Sequence, residues 1–308
     1  MTTTNIIETR GLGKRFGERP AVIDLNLTVP RACAFGFLGH NGAGKTTLIR
    51  MLLGLTSPDA GEMRIAGRPV PQDRAVVLQR VGAIVEEPHF HAHLTGRENL
   101  RVAAAARGPA ARGRIEPALR RVGLSDRGDD RVGTYSQGMR QRLGVARCLL
   151  ADPELLILDE PMNGLDPGGI LELRTMIAGL TDEGRTVFLS SHLLDEVEKT
   201  CNAAAVIDRG RIIAQGPISE LLRDQRAELD IDCADGRTAL DLLDSHPSVA
   251  AAQRTPDGVR VTPVGADGAA AINARLVGAG IAVSRLQPVH DSLERRFLEL
   301  TSSVGDAS

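Results

Sequence analysis

The chain has 308 residues, of which 42% are hydrophobic, and its 37 basic and 39 acidic side chains leave a formal charge of -2. This length allows a sizeable core and suggests two domains. The balanced charge, together with the absence of Trp, argues against a nucleic-acid-binding surface, because such surfaces are basic and stack bases on aromatic rings. The N-terminal residues lack the pattern of a signal peptide, and no apolar run reaches the ~18 residues of a membrane span, so we expect a chain that is soluble by itself.

The first part of the chain is predicted to form strands joined by turns. Apolar or alternating segments predict strands at residues 5–9, 21–29 and 34–38. The chain has four widely spaced cysteines without a C-x-x-C pair: Cys33, Cys148, Cys201 and Cys233. This spacing is typical of isolated thiols in a reducing compartment.

The strand at 34–38 is followed by residues 39–46, GHNGAGKT, which fit the phosphate-loop pattern G-x-x-x-x-G-K-[ST]. An apolar-periodic run at 48–53 predicts the helix that this motif requires after its loop. Glycines let backbone N–H groups point at phosphate oxygens, and the start of the helix adds a positive dipole end. A Gly-rich loop can also be only a tight turn, but the Lys-Thr pair and the flanking elements favour phosphate binding.

Lys45 is predicted to reach the β- and γ-phosphates, and the Thr46 hydroxyl to ligate Mg²⁺. The predicted phosphate-binding residues are Gly39, His40, Asn41, Gly42, Ala43, Gly44, Lys45, Thr46 and Thr47.

Strands and helices alternate beyond this loop. Strands are predicted at 61–67, 81–85, 155–159, 186–190 and 204–208, and helices at 98–106, 115–122, 137–150, 169–180 and 193–201. Such alternation indicates an α/β sheet of largely parallel strands.

Two acids follow the apolar strand at 155–158. Four consecutive apolar residues are typical of a strand buried on both faces. Asp159, at the C-terminal end of this strand, can hold Mg²⁺, and Glu160 can accept a proton from an attacking water. Taken alone, the pair would be interpreted as a helix N-cap, but the presence of a phosphate loop favours roles in Mg²⁺ binding and proton transfer.

The pattern of the chain changes at a charged stretch near residues 222–227. Strands are predicted beyond it at 228–233, 258–263 and 281–288, and helices at 238–245, 269–278 and 292–301. These short elements predict a small α+β domain, for which a ferredoxin-like arrangement is one candidate. The predicted boundary separates domain 1–224 from domain 225–308.

Residues 134–142, TYSQGMRQR, resemble the signature motif of the ATP-binding subunits of ABC transporters. The Tyr-Ser-x-Gly-Met form is common among drug- and antibiotic-resistance exporters. Ser136 matches the signature serine and Gly138 its second glycine, whereas Gln137 replaces the usual first glycine and Met139 the usual glutamine. A serine hydroxyl and the N–H groups of a helix start remain, and both can bind phosphate. The alternative is that Ser136 is only a helix N-cap.

Further motifs in the family's order extend the resemblance over residues 5–222. Residues 163–166 (NGLD) resemble the D-loop and include Asp166, and residues 190–192 (SSH) resemble the switch, in which His192 touches the γ-phosphate. Phe16 matches the aromatic residue that stacks on adenine, although it could also be an ordinary core residue. Residues 297–301 (FLELT) look like the tail of many such exporter subunits.

One departure from the family pattern lies at residues 81–88, which align with a loop that usually carries a Gln. Glu86 takes that place, as in bacitracin-type resistance and lantibiotic-immunity transporters. Because the Gln contacts Mg²⁺ or the attacking water and transmits to the membrane subunit, the resemblance assigns these roles to Glu86. His89, His91 and His93 follow and could mimic a metal site on one face of a strand, but the resemblance puts them in a loop that meets the membrane partner.

The resemblance implies a P-loop NTPase of the α/β class, with a mixed sheet core, a helical subdomain at about 87–148 and a small C-terminal α+β domain. The implied cofactors are ATP and Mg²⁺. Catalysis would fall to Glu160, His192, Lys45 and Glu86, and metal binding to Thr46, Asp159 and Glu86.

The same resemblance implies two copies that face head to tail, with ATP between the phosphate loop of one copy and Ser136, Gln137 and Gly138 of the other. Together they would drive an integral membrane permease from the cytoplasmic face of the membrane, exporting a drug, antibiotic or lipid-like substrate. Three alternatives remain open: an ABC-type ATPase that acts on ribosomes or DNA, the motor of an importer, and a regulatory module with a silent ATPase.

Overall fold

The computed structural model describes residues 4–222, 228–244, 246–265, 268–289 and 292–298. The chain divides into two compact units: unit 1 comprises Met1–Leu221 together with the segment that begins at Phe297, and unit 2 comprises Leu222–Arg296. The sequence-based boundary assigned all of residues 225–308 to a second domain. In the division by compact units, Phe297, whose ring contacts His40, belongs to unit 1.

A six-stranded sheet forms the centre of unit 1. Its strands, in chain order, are β3 (Ala34–Leu38), β6 (Val81–Ile84), β7 (Leu155–Leu158), β8 (Thr186–Ser191), β9 (Ala203–Asp208) and β10 (Arg211–Pro217). They lie in the order β10-β9-β3-β8-β7-β6, and all neighbours are parallel except β10, which runs antiparallel to β9. Every residue of β3, β7 and β8 is buried, as expected for parallel strands covered on both faces.

A second sheet of unit 1 is antiparallel. It consists of β1 (Asn5–Phe16), β2 (Arg19–Pro30), β4 (Ala60–Ile65) and β5 (Arg68–Val70), in the order β2-β1-β4-β5. Its apolar face shares one core with the first helix, α1 (Lys45–Leu52), and with the central sheet, where Phe35 stacks on Phe188 at a centroid distance of 6.0 Å. This shared core fixes α1 against the end of β3.

Helices complete unit 1. They are α2 (Arg74–Leu78), α3 (Gly96–Ala105), α4 (Pro109–Gly113), α5 (Ile115–Arg121), α6 (Gln137–Leu149), α7 (Pro167–Asp182), α8 (Leu194–Thr200) and α9 (Ile218–Leu221). The helices α3 to α6 form the helical region expected at 87–148. A capping box starts α3: Thr95 accepts from the Glu98 N–H, and the Glu98 carboxylate accepts from the Thr95 N–H.

Unit 2 has the order β-α-β-β-α-β, which is the ferredoxin-like arrangement. Its elements are β11 (Glu228–Cys233), α10 (Gly236–Leu243), β12 (Val249–Thr255), β13 (Gly258–Pro263), α11 (Gly268–Gly278) and β14 (Val283–Val289). The four strands are antiparallel in the order β12-β13-β11-β14, and the two helices pack on the buried side chains of Leu229, Ile231 and Val259. Residues 293–298 are helical.

In the described part of the chain, no helix is both long and apolar enough to cross a membrane.

Candidate functional site

The phosphate loop lies between the carboxyl end of β3 and the start of α1. Gly42 and Gly44 have φ angles of 82° and 114°, a region that side-chain-bearing residues rarely adopt. A Cβ on Gly44 would lie 2.5 Å from the Ala21 carbonyl oxygen, and one on Gly39 would lie 2.5 Å from that of Ile207. The glycines therefore permit both the curl of the loop and its close approach to neighbouring backbone.

Lys45 is the buried cation of this loop, with 6% of its surface exposed. Its Nζ donates to the Gly39 carbonyl at 2.6 Å and to the His40 carbonyl at 3.4 Å. The same Nζ lies 3.0 Å from Glu160 Oε1 as an ion pair. The Lys45 ammonium is thus held across the mouth of the loop, where phosphate oxygens can replace its present partners.

Asp159 follows β7 and is 4% exposed. It accepts the Thr46 hydroxyl at 3.0 Å and the Ser190 hydroxyl at 2.5 Å, one on each carboxylate oxygen. Parallel strands bring these groups together, because the carboxyl ends of β3, β7 and β8 meet at one edge of the sheet. Sequence reasoning found Thr46 and Asp159 but missed Ser190 as the residue that orients the carboxylate.

Glu160 and His192 form the next pair along this edge. His192 Nδ1 lies 2.9 Å from Glu160 Oε2, and the His192 N–H donates to the same oxygen at 3.3 Å. Glu160 has a φ of 47°, and its own N–H donates to the Ser190 hydroxyl at 2.9 Å. Ser190 thus connects the two neighbouring acids, because it contacts the carboxylate of Asp159 and the backbone N–H of Glu160.

Two adjoining clefts meet at Thr46 and Glu160. One is lined by Thr46, Glu86, Glu87, Pro88, Gln137, Arg140, Gln141, Asp159, Glu160 and Asn163. The other is lined by Phe16, Arg19, Ala21, His40, Asn41, Gly42, Gly44, Lys45, Thr46, Thr47 and Glu160. Most of the predicted phosphate loop and both acids therefore line two clefts that share Thr46 and Glu160.

Phe16 lies in the second cleft with 55% of its surface exposed, so it is not a core residue. The Lys14 ammonium lies 5.5 Å from its ring centroid. Arg19 lines the same cleft on the turn side of β2. No motif identified Arg19, because only the β1–β2 pairing brings it to the loop.

Glu86 lines the first cleft but pairs with Arg50 rather than with the acids. Arg50 Nη2 donates to Glu86 Oε1 at 2.5 Å, and both side chains are largely exposed. Glu86 has a φ of 61°, which marks a sharp turn after β6. Arg50, on the outer face of α1, is a partner that the motif alignment did not identify.

The signature-like segment is anchored by its tyrosine. The buried Tyr135 hydroxyl donates to the Arg127 carbonyl at 2.6 Å, and Arg140 donates to the Tyr135 carbonyl at 2.6 Å. Burial raises the pKa of Tyr135 above its ordinary value. Ser136 accepts the Met139 N–H at 3.2 Å and is the N-cap of α6.

Gln137 donates through Nε2 to the Asn163 carbonyl at 3.0 Å. Its amide would clash with a Cβ on Gly164, which has a φ of 69°. The residue that replaces the family's usual glycine therefore ties the signature-like segment to the D-loop-like turn. Asp166, at the end of that turn, accepts the Gly169 N–H at 3.0 Å and caps α7.

The alternating histidines do not form a three-ligand site. His91 and His93 have ring centroids 5.9 Å apart, and Arg147 donates to the His89 carbonyl at 3.0 Å. Within the residues that the structure describes, no group of three or more His, Cys, Asp or Glu could hold a metal ion. Mg²⁺ needs no such group at a nucleotide site, because one or two protein oxygens and the phosphates suffice. The convergent oxygens of Thr46 and the buried Asp159 fit that requirement.

Comparisons with known proteins show what this chain is similar to. The model of the ABC transporter family matches residues 22–163. The bacitracin transport ATP-binding protein BcrA of Bacillus licheniformis is 41% identical over 96% of this chain and 97% of that protein. The protein of the same name from Enterococcus faecalis is 37% identical over 98% of each chain. Among solved structures, cbiO1 from Clostridium perfringens, part of the ABC transporter complex cbiONQ, matches with a TM-score of 0.67 and 25% identity over 72% of this chain and 92% of that chain.

Proposed function

Because the chain belongs to the ABC transporter family, we propose that it is the ATP-hydrolysing motor of an exporter that expels an antibiotic, drug or lipid-like substrate through a separate membrane subunit. One observation carries the ATPase assignment: Lys45, Thr46, Asp159, Glu160 and His192 converge at one edge of the sheet. The substrate class is supported by the similarity to two bacitracin transport proteins, which extends through unit 2.

Lys45 acts first in this mechanism. Its ammonium holds the β- and γ-phosphates of ATP, while the loop amides and the start of α1 bind the remaining oxygens. The phosphates replace Glu160 as the partner of Lys45, and the Glu160 carboxylate is thereby released towards the cleft. Exchange of one anion for another at a buried cation avoids leaving its charge unpaired.

Glu160 then orients a water molecule and accepts its proton. His192 limits the movement of that carboxylate through its ring and its backbone N–H. Thr46 and Asp159 would hold Mg²⁺, which when bound neutralises charge on the phosphates. Ser190 fixes the Asp159 carboxylate, because its hydroxyl donates a hydrogen bond to Oδ1.

The proposed active state contains two copies in a head-to-tail dimer. Ser136 and the first amides of α6 then face the nucleotide on the phosphate loop of the other copy. This arrangement is supported by the N-terminus of α6, where Ser136 caps the Met139 N–H and the positive end of the helix dipole attracts an anion. An integral membrane permease would bind this dimer at the cytoplasmic face of the membrane.

Co-purification tests this proposal most directly. The tagged chain is expressed with the membrane-protein gene next to its own, extracted in mild detergent, and assayed for ATPase activity with and without that partner. We expect a stable complex whose ATPase depends on the partner and which raises cellular resistance to bacitracin. A Lys45→Ala complex is the matched control, because it should assemble without hydrolysing ATP. A chain that purifies alone with full ATPase would instead support the non-transport alternative.

A further inference from the structure

Phe297 belongs to unit 1 and lies against the phosphate loop. It is 3% exposed, and its ring meets the ring of His40 at a centroid distance of 4.6 Å and an interplanar angle of 79°. This is an edge-to-face arrangement, the favourable geometry for two aromatic rings. A residue near the end of the sequence therefore contacts the second residue of the phosphate loop, about 250 positions earlier.

The phosphate-loop pattern leaves position 40 free, because only its glycines and its Lys-Thr pair are specified. His40 is nevertheless held through both its carbonyl, which accepts the Ala43 N–H at 3.1 Å, and its ring. Its carbonyl accepts from Lys45 Nζ at 3.4 Å, and its ring is held by Phe297. The loop needs such support, because it contains Gly42 and Gly44, both at positive φ. Glycine loses more conformational entropy than other residues when a loop becomes ordered.

We propose that Phe297 is a positioning residue of the nucleotide site: by packing on His40 it holds the phosphate loop in the conformation that binds the phosphates of ATP. This rests on the proposed function, in which the cleft beside His40 binds ATP. Phe297 touches neither the phosphates nor the metal in this scheme and acts through His40. By reciprocity, ATP in the loop also stabilises the packing of Phe297, since coupling between two binding events is the same in both directions.

The first test measures the affinity of the full chain for MgATP and MgADP. An edge-to-face pair contributes enough that Phe297→Ala should weaken nucleotide binding about 2- to 10-fold. Leu298→Ala is the matched control, because Leu298 is the next residue and is 59% exposed, and we expect its affinity to equal that of the wild type. Phe297→Tyr keeps the ring and should restore most of the affinity.

A double-mutant cycle shows whether the effect passes through His40. In a His40→Ala background, Phe297→Ala should cause no further loss, because the ring contact is already gone. If Phe297→Ala binds nucleotide as tightly as the wild type or more tightly, or if its loss is unchanged in the His40→Ala background, the positioning role is refuted.

A spectroscopic readout separates this role from a general effect on folding. The chain has no Trp, so Phe297→Trp introduces a single reporter ring next to the loop. We expect its emission to change on addition of MgATP, with a midpoint equal to the directly measured dissociation constant, and Leu298→Trp to respond far less. An unresponsive Phe297→Trp protein that still binds ATP would overturn the proposal. A wild-type chain that fails to bind ATP, or one in which Lys45→Ala binds equally well, would instead refute the proposed function itself.

Discussion

At the scale of single residues, two neighbouring acids of the site have different partners. Asp159 faces two hydroxyl groups, those of Thr46 and Ser190, whereas Glu160 faces a cation and His192. Because hydroxyl groups are neutral, they do not cancel the negative charge of the Asp159 carboxylate, which stays available for a metal ion. In the proposed mechanism the ion pair of Glu160 with Lys45 is exchanged when phosphates enter, and this difference supports metal binding by Asp159 and proton transfer by Glu160.

Glu160→Gln tests the assignment. The amide keeps the size of the side chain but cannot accept a proton, so we expect turnover to fall about 10²- to 10⁴-fold. Binding of ATP should persist, because Lys45 and the loop are unchanged. Steady-state hydrolysis and equilibrium nucleotide binding measure the two effects. Glu87→Gln, in the same cleft, is the control and should hydrolyse ATP at nearly the normal rate. A Glu160→Gln protein with more than a third of the wild-type rate would rule out a general base at this position.

Glu86→Gln tests the coupling role. Its ion pair with Arg50 is largely exposed and contributes less than about 1 kcal/mol to stability, so a change in activity will not reflect unfolding. We expect substantial ATPase activity but fewer substrate molecules exported per ATP, measured on the complex with its permease. Arg50→Gln removes the same ion pair while keeping the carboxylate, and we expect it to retain coupling. Equal proportional losses of hydrolysis and export in Glu86→Gln would contradict the role.

At the scale of elements, much of unit 1 could be predicted from sequence, because buried parallel strands are short apolar runs with distinctive ends. Predicted strand 34–38 matches β3. In unit 2, the predicted strand 228–233 matches β11, whose buried residues alternate along the strand. Strand β12 was missed, since it is an edge strand with three consecutive alanines, which have low strand propensity.

Long-range partners were not predictable in the same way. Site residues that belong to motifs can be identified from the spacing of neighbouring residues in the sequence. The contacts of Arg50 with Glu86 and of Gln137 with Asn163 depend on how separate segments pack, and no spacing in the sequence encodes them. A residue such as Arg19 is identified only once the fold brings it to the loop.

The start of α6 gives a prediction at this scale. Ser136→Ala removes an N-cap, as does Thr95→Ala at the start of α3, and each should cost about 1 kcal/mol of stability. If Ser136 also binds a phosphate of the nucleotide, only Ser136→Ala should lose a charge-assisted hydrogen bond, and its ATPase activity should fall about 10- to 100-fold. Thermal unfolding and ATPase assays on both variants separate the two roles. Equal activity in the two variants would leave Ser136 as an N-cap alone.

At the scale of the whole molecule, all four cysteines are free and buried. Burial raises the pKa of the Cys33 and Cys148 thiols to about 11, and it also raises the pKa of Cys201 and Cys233. A pKa near 11 makes the thiolate fraction of Cys33 and Cys148 at pH 8 about 100-fold smaller than for an unperturbed thiol. We expect negligible alkylation of the native chain at pH 8, measured by mass spectrometry, and complete alkylation in denaturant. Rapid labelling of any of the four would reveal local opening at that site.

The proposed head-to-tail dimer makes a prediction that can be tested only with two different copies in one dimer. If each nucleotide lies between Lys45 of one copy and Ser136 of the other, Lys45→Ala and Ser136→Ala proteins are each nearly inactive. Mixed, they form heterodimers in which both substitutions fall at one site and the other site is intact. Random pairing makes half of the dimers mixed, each with one of its two sites working, so roughly a quarter of the wild-type ATPase should return. The mixture is assayed with its permease against each variant alone. A site complete within one copy would give no recovery at any mixing ratio, because every copy carries a substitution.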